Sequence, residues 1–252
     1  MAEETTANTQ PPSEAPKAEP QQAKPARPRR RSLSTAAMAQ QTPKAPESEI
    51  QTKATMLFDK YSYEVEVRDP SLKNYINIKP LAYPMSFRRG SQKSFSKANI
   101  NIVERLCNSM MRGGTGGKVG GHVIRTKGRL QGKKVKSIKI IESAFETISR
   151  TTGKNPLQVF IYALEHSAPI EDTTRVIYGG IKSNVAVDIS ASRRLDIALR
   201  NVSMAAITSA FASKRSISDA LANEIILAAN VDINSYAIKR KNEIERMARS
   251  AK

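Results

Sequence analysis

The sequence predicts an all-α protein: a bundle of about six helices with an inserted β-hairpin between the third and fourth helices, preceded by a disordered N-terminal tail. Three observations carry this. Apolar residues recur at helical spacing in five segments, and more weakly in a sixth, between residues 98 and 251. One segment, about residues 173–189, alternates with a period of two around Gly179-Gly180. The first 55 residues hold 8 of the 13 prolines, show no periodicity and have almost no large apolar residue. Burial there cannot offset the entropy of ordering the chain. The 252 residues therefore divide into a tail, 1–55, and one helical domain, 56–252. The tail's one feature is the basic arm Arg27-Pro28-Arg29-Arg30-Arg31.

From Met56 the composition changes. Residues 56–67 are short and mixed, and residues 72–86 are punctuated by Pro80 and Pro84, so both are expected to lie extended on a core. The first helix, about 98–112, carries Ile102, Val103, Leu106, Cys107, Met110 and Met111 on one face, and Gly113-Gly114 stops it. The second, about 134–152, has Ile138, Ile141, Phe145 and Ile148 in a stripe, with Gly153 as its C-cap. Asn155 caps the third and Pro156 occupies its first turn, where a missing N–H costs nothing; Leu157, Phe160, Ile161 and Leu164 face inward. The hairpin follows, with Arg175, Val176, Ile177 and Tyr178 before the glycines and Val185, Val187 and Ile189 beyond Lys182-Ser183-Asn184. The fourth helix, about 192–212, points Leu195, Leu199, Val202, Ala206 and Phe211 inward. Ser216 and Asp219 give the fifth, about 216–230, a capping-box spacing. The sixth, about 235–251, carries Ile238, Ile244 and Met247 but is mostly charged, which places it at the periphery.

Charge points to function. Lys+Arg is 41 against 23 Asp+Glu, a net +18. Residues 70–141 hold 16 basic groups and one acid, Glu104, and supply +15 of that surplus. A solvated surface mixes signs; a stretch almost without carboxylates attracts a polyanion. Within it, residues 113–132 contain eight glycines. This is not a nucleotide-hydrolysing P-loop. Lys118 follows Gly117, but position 112 is Arg and position 119 is Val; Lys133 follows Gly132, but positions 127 and 134 are Lys. Neither copy offers the hydroxyl that holds magnesium. The better reading is a flexible basic loop whose backbone approaches a phosphate ribbon closely.

Other chemistry finds little support. One cysteine, Cys107, rules out a disulfide framework or a thiolate zinc module and reads as core. His122 and His166 have no carboxylate or thiol partner at ligand spacing. Glu142, Glu146 and Glu165 fit helical ion pairs rather than acid–base work. No nucleophile, base and orienter set is visible, so no enzyme, cofactor, metal or small-molecule substrate is expected. The longest nearly apolar stretch, 202–212, is about half a membrane span. The start of the chain has no apolar run of the kind a secretory signal needs, so a soluble cytoplasmic protein without a membrane partner is expected. Tyr61, Tyr63, Tyr75, Tyr83 and Phe87 are read as anchors of the extended segment rather than base-stacking groups.

Several runs together resemble a known family, small-subunit ribosomal protein seven, the universal RNA-binding protein of the ribosomal head. GKKVKSIKIIESA (132–144) is similar to the latter half of the family signature. TGKNPLQVFIYALEHSAP (152–169) resembles its third helix, and TRVIYGGIKSNVAVDISASRR (174–194) its hairpin and following helix start. NSYAIKRKNEIERMARSAK (234–252) looks like the C-terminus of the archaeal and eukaryotic branch. Residues 113–131 stand as an insertion relative to bacterial members, Arg175 alone matches a basic hairpin position, Ala191 stands where proline is common, and residues 1–55 have no counterpart.

The resemblance implies a primary ribosomal-RNA-binding protein. Such proteins bind the 3′ domain of small-subunit RNA, nucleate head assembly beside neighbouring head proteins, and lie near the exit-site transfer RNA and messenger. The RNA-binding residues expected are Arg88, Arg89, Lys93 and Lys97 ahead of the first helix; Arg112, Lys118, Arg125, Lys127 and Arg129 in and beside the glycine-rich stretch; Lys133, Lys134 and Lys136 at the second helix; Arg175 and Lys182 on the hairpin; and Arg193 and Arg194. The last two oppose the dipole of their own helix, which suggests a phosphate held by both guanidinium groups. The alternative class is a DNA-binding chromatin or regulatory protein with a helix-turn-helix, but such a reader lines one recognition helix with cations and amides. Here the cations concentrate in loops and helix starts, which suits irregular RNA.

Overall fold

The computed structural model describes residues 56–86, 96–113 and 128–252 apart from Ala212, and the backbone of 118–119 and 122–123. The expectation of disorder for residues 1–55 lies outside the described residues, as do Arg88, Arg89, Lys93, Arg125 and Lys127. In order the elements are α1 (Pro70–Lys73), a 3-10 turn (Ser96–Asn99), α2 (Ile102–Met111), β1 (Lys118–Val119), β2 (His122–Val123), α3 (Lys134–Thr152), α4 (Pro156–Ser167), β3 (Glu171–Tyr178), β4 (Ile181–Asp188), α5 (Ala191–Ala210), α6 (Ile217–Ala229) and α7 (Tyr236–Ser250). The chain is mostly helical, and one antiparallel hairpin separates α4 from α5.

Local chemistry sets the helix boundaries. Side chains of Asn101, Asn155, Ser216 and Ser235 accept from Val103, Leu157, Asp219 and Ile238 N–H groups, closing the first turns of α2, α4, α6 and α7. Gly153 ends α3 at φ 64° and returns its N–H to the Ser149 carbonyl at 2.9 Å. α6 sits against α3, α4, α5 and α7. It can do so because Ala220, Leu221, Ala222, Ile225 and Ala228 are all buried, and the alanines let neighbouring backbones approach. Phe145 and Phe160, rings tilted at 6.0 Å, sit in the core with Ile141, Ile148, Leu157 and Leu164.

The structure departs from the sequence expectations at several points. α1 is a single turn in a region whose prolines suggest extended chain; Asp69 caps it by accepting from Ser71 N–H, with Pro70 in its first turn. β1 and β2 form a short antiparallel pair inside the stretch read as a flexible loop. Lys182, Ser183 and Asn184 are strand residues paired with Ile177, Val176 and Arg175; the turn is only Gly179-Gly180, at φ 54° and 85°, values glycine adopts freely. Phe211 lies outside, 46% exposed, because α5 ends at Ala210 and the chain turns away. Met247 is exposed too, and α7 buries Ala237, Ile238 and Ala248 instead.

The extended N-terminal segment is held by main-chain capture. Leu57 and Phe58 are buried, and Phe58 and Tyr61 each meet the Phe145 ring edge-on at 6.4 Å. Further on, Gln158 of α4 accepts from Glu66 N–H at 2.8 Å and donates to Glu66 O at 2.9 Å. Farther along α4, Glu165 accepts from the N–H groups of Arg68 and Asp69. Glu142 and Glu146 serve the same segment by pairing with Lys60. The partners of these glutamates are therefore distant in sequence, not within their own helices.

Candidate nucleic-acid interface

The expected cations fall into two groups, those tied to carboxylates and those left bare. Arg194 belongs to the first. Its side chain is 11% exposed and donates to Asp69 at 3.0 Å, to the Pro169 carbonyl at 3.2 Å, and to the Ser71 hydroxyl. Arg193, 66% exposed, reaches Asp172 at 3.4 Å. The pair thus splits, one arginine fastening α5 to α1 and to the hairpin root, the other at the surface. Burial alone would push the Asp69 carboxyl up, but the Ser71 hydroxyl and N–H and the Arg194 charge outweigh it and hold Asp69 below the ordinary aspartate range.

Lys134 is tied as well. Glu104, the lone acid of the basic stretch, is buried and accepts from Ser86 N–H at 3.1 Å, from Ser86 Oγ at 3.0 Å, and from the Lys134 ammonium. Lys97 shares Asp196 with the buried Arg105, which bonds it at 2.9 Å. Cys107 lies beside this junction, its Sγ 3.7 Å from the Lys134 carbonyl, and burial pushes its thiol up.

The bare cations lie at the C-cap of α2, just ahead of α3 and along its first turns. Arg112 is the exposed C-cap of α2. Arg129, Lys133, Lys136 and Lys139 are exposed, and none of the five pairs with a carboxylate among the described residues. Gly132, Lys133, Lys134, Val135, Lys136 and Lys139 line a shallow depression. α3 opens there with no side-chain cap and no acid in its first turn, so its leading N–H groups and its dipole add to the lysine charges. Val135 is 59% exposed between them. Lys118 falls in β1, and Arg175 and Lys182 are exposed on the hairpin.

Sequence reasoning missed three exposed cations and the burial of one acid. Lys139 repeats three residues after Lys136, and that spacing could have revealed it. Lys214 and Arg215 are exposed beside Phe211 in the α5–α6 connection, where the capping signal of Ser216 drew attention to the helix instead. Glu104 was visible as the only acid, but nothing local announced that it is buried. Among the described residues no group of three or more His, Cys, Asp or Glu could hold a metal ion, and no helix is long and apolar enough to cross a membrane.

A helical body with unpaired lysines at the start of α3 and an exposed hairpin carrying Arg175 and Lys182 has the chemistry of a polyanion-binding protein. A model of the family described as ribosomal protein S7p/S5e matches residues 73–252, and the chain belongs to that family. It is accordingly a small-subunit ribosomal protein, which replaces the helix-turn-helix alternative.

Proposed function

We infer that this chain is a primary RNA-binding protein of the small ribosomal subunit in the cytoplasm, binding the 3′ domain of its rRNA, helping to nucleate the head, and lying near the exit-site transfer RNA and messenger. The observation that carries the reading is the set of bare cations: Arg112, Arg129, Lys133, Lys136 and Lys139 pair with no described carboxylate, while the one acid of that stretch is buried and neutralised from within. Cations so placed release counterions from phosphate, and the rigid bundle fixes where the RNA strands lie. Contacts to backbone and shape dominate where the RNA is helical, because its deep, narrow major groove hides the base edges and leaves phosphates and 2′-hydroxyls in reach. Arg88, Arg89, Lys93, Lys118, Arg125, Lys127, Arg175, Lys182 and Arg193 are proposed to contact the same RNA on the ground of their charge.

The test is binding to folded small-subunit rRNA and to duplex DNA at matched salt. Changing Arg129, Lys133, Lys136 and Lys139 together to Gln should reduce the salt slope by roughly three to four units, since each phosphate that is no longer neutralised takes about 0.7–0.9 from it. An unchanged slope, or equal affinity for DNA, would overturn the reading.

A further inference from the structure

The register of the hairpin sorts its side chains into two unlike faces. Val176 pairs with Ser183, Tyr178 with Ile181, Thr174 with Val185, and Asp172 with Val187. Strand side chains alternate, so these residues share one face. Arg175, Ile177, Lys182 and Asn184 lie on the other. Beyond the root, where Asp172 is held by Arg193, the first face has no charge. It presents Val176, Tyr178, Ile181, Val185 and Val187 at 37, 84, 75, 41 and 41% exposure. The second face carries both cations of the ribbon toward its tip, with Ile177 the one exposed apolar residue there, and the acids Glu171 and Asp188 opposite each other at its root, where Lys252 pairs with Glu171.

This arrangement is the reverse of what a self-contained hairpin would use. Near the root, Thr173 and Ala186 of the polar face are half-buried while Val185 and Val187 of the apolar face stay in solvent. The valines are left out even near the root. A contiguous apolar stripe on an exposed two-stranded ribbon marks an interaction surface.

We propose that the charge-free face of the hairpin docks against an uncharged apolar surface of another protein of the particle, while the Arg175–Lys182 face lies toward RNA. The chemistry selects the occupant. Neutralising a phosphate ribbon takes cations, and this face offers five apolar or aromatic side chains and three hydroxyls, of Thr174, Ser183 and Tyr178, but no cation. The size of the face selects the setting. Five side chains fall far short of the ~20–30 residues a side that a free-standing complex needs. The contact therefore forms only where both partners are already held on RNA and face each other at high effective concentration. A second copy of this chain in free solution does not meet that condition. The proposal rests on the RNA-binding function given above.

Photoreactive benzoylphenylalanine is placed at Tyr178 on the apolar face or at Asn184 on the polar face. Purified small subunits carrying either variant are irradiated and the adducts identified by mass spectrometry. Position 178 should yield one defined small-subunit protein, and position 184 RNA. RNA at position 178, a self-adduct there, or no adduct in subunits holding the chain at full occupancy overturns the proposal. A second variant guards against poor incorporation: Val176→Thr with Val185→Thr keeps β-branched side chains and removes apolar surface. Its affinity for naked rRNA should stay within about twofold, while its loss from salt-washed subunits should quicken on the order of tenfold. Unchanged retention also overturns the proposal. Failure of the unsubstituted chain to bind rRNA at all would instead defeat the functional reading on which it rests.

Discussion

Replacing Lys134 by Gln separates two roles that a basic residue in an RNA-binding stretch could have. If the ammonium serves RNA, its loss weakens binding and leaves the fold intact. The structure predicts the opposite. The Glu104 side chain is 3% exposed and that of Lys134 24%, so removing the cation strands a carboxylate in a nearly dry site. Breaking a buried pair from one side costs about 3–5 kcal/mol. Two features reduce this: water reaches part of Lys134, and Ser86 still donates twice to Glu104, at 3.1 and 3.0 Å. A destabilisation of about 2 kcal/mol is expected, a large share of the ~5–15 kcal/mol of a typical domain. With a urea slope of about 2 kcal/mol per molar, the unfolding midpoint should fall by about 1 M. The double variant Lys134→Gln, Glu104→Gln should recover at least half, since an amide accepts from Ser86 without carrying charge. The salt slope of rRNA binding should be unchanged. A destabilisation under about 0.5 kcal/mol, or a double variant no better than the single, would refute the reasoning.

Arg194→Gln removes the tie to Asp69, Ser71 and Pro169 and should cost about 1–3 kcal/mol, measured by urea unfolding. The same tie contributes to acid sensitivity: Asp69 is held below its ordinary value, so its contribution is present above the unfolded aspartate range and is lost as pH falls through the lower folded value. The variant should lose less stability than the parent across that acid limb; parallel pH profiles would count against the tie. At Gly113 an added Cβ would stand 1.7 Å from Ile207 Cδ1 and 3.2 Å from the Met110 carbonyl. Gly113→Ala should therefore lower stability by about 1–3 kcal/mol, and adding Ile207→Val, which deletes Cδ1, should restore part of it. A neutral single variant would show that the two helices part without strain.

What the sequence showed and what it hid follow the range of the interactions. Asn155, Pro156 and Gly153 act on residues within one turn, and the ends of α3 and α4 fall where they indicate. The hairpin is legible because its turn glycines and alternation are local, though the strand partners of Lys182 to Asn184 depend on the register. Leu57 and Phe58 give no periodic signal, yet they sit in the core because a tight turn with φ 54° and 58° at Phe58 and Asp59 inserts them. Arg194 defeats sequence reading altogether: its carboxylate is 125 positions away, and within its own helix the residue only looks unfavourable.

Charge counting finds the basic stretch but treats its cations as equivalent, and the fold does not. Each carboxylate near that stretch is used to join elements. Asp196 brings Lys97 and Arg105 of the 3-10 turn and α2 to α5, and Glu104 brings α3 and Ser86 to α2. A surplus of like charge repels itself and opposes compaction, so pairing the inner cations is a condition of folding a chain this basic. With those acids engaged, Arg112, Arg129, Lys133, Lys136 and Lys139 pair with no carboxylate among the described residues, and the field of the lysines in the first turns of α3 adds to that of its uncapped N-terminus. The buried acid therefore does more than stabilise. Ser86 directly precedes residues 87–95, which carry Arg88, Arg89 and Lys93, and Lys134 stands two residues after the glycine-rich stretch. One carboxylate holds the roots of both basic segments at the same place on α2, which is why a single acid among 16 bases is consistent with, rather than an exception to, a polyanion-binding surface.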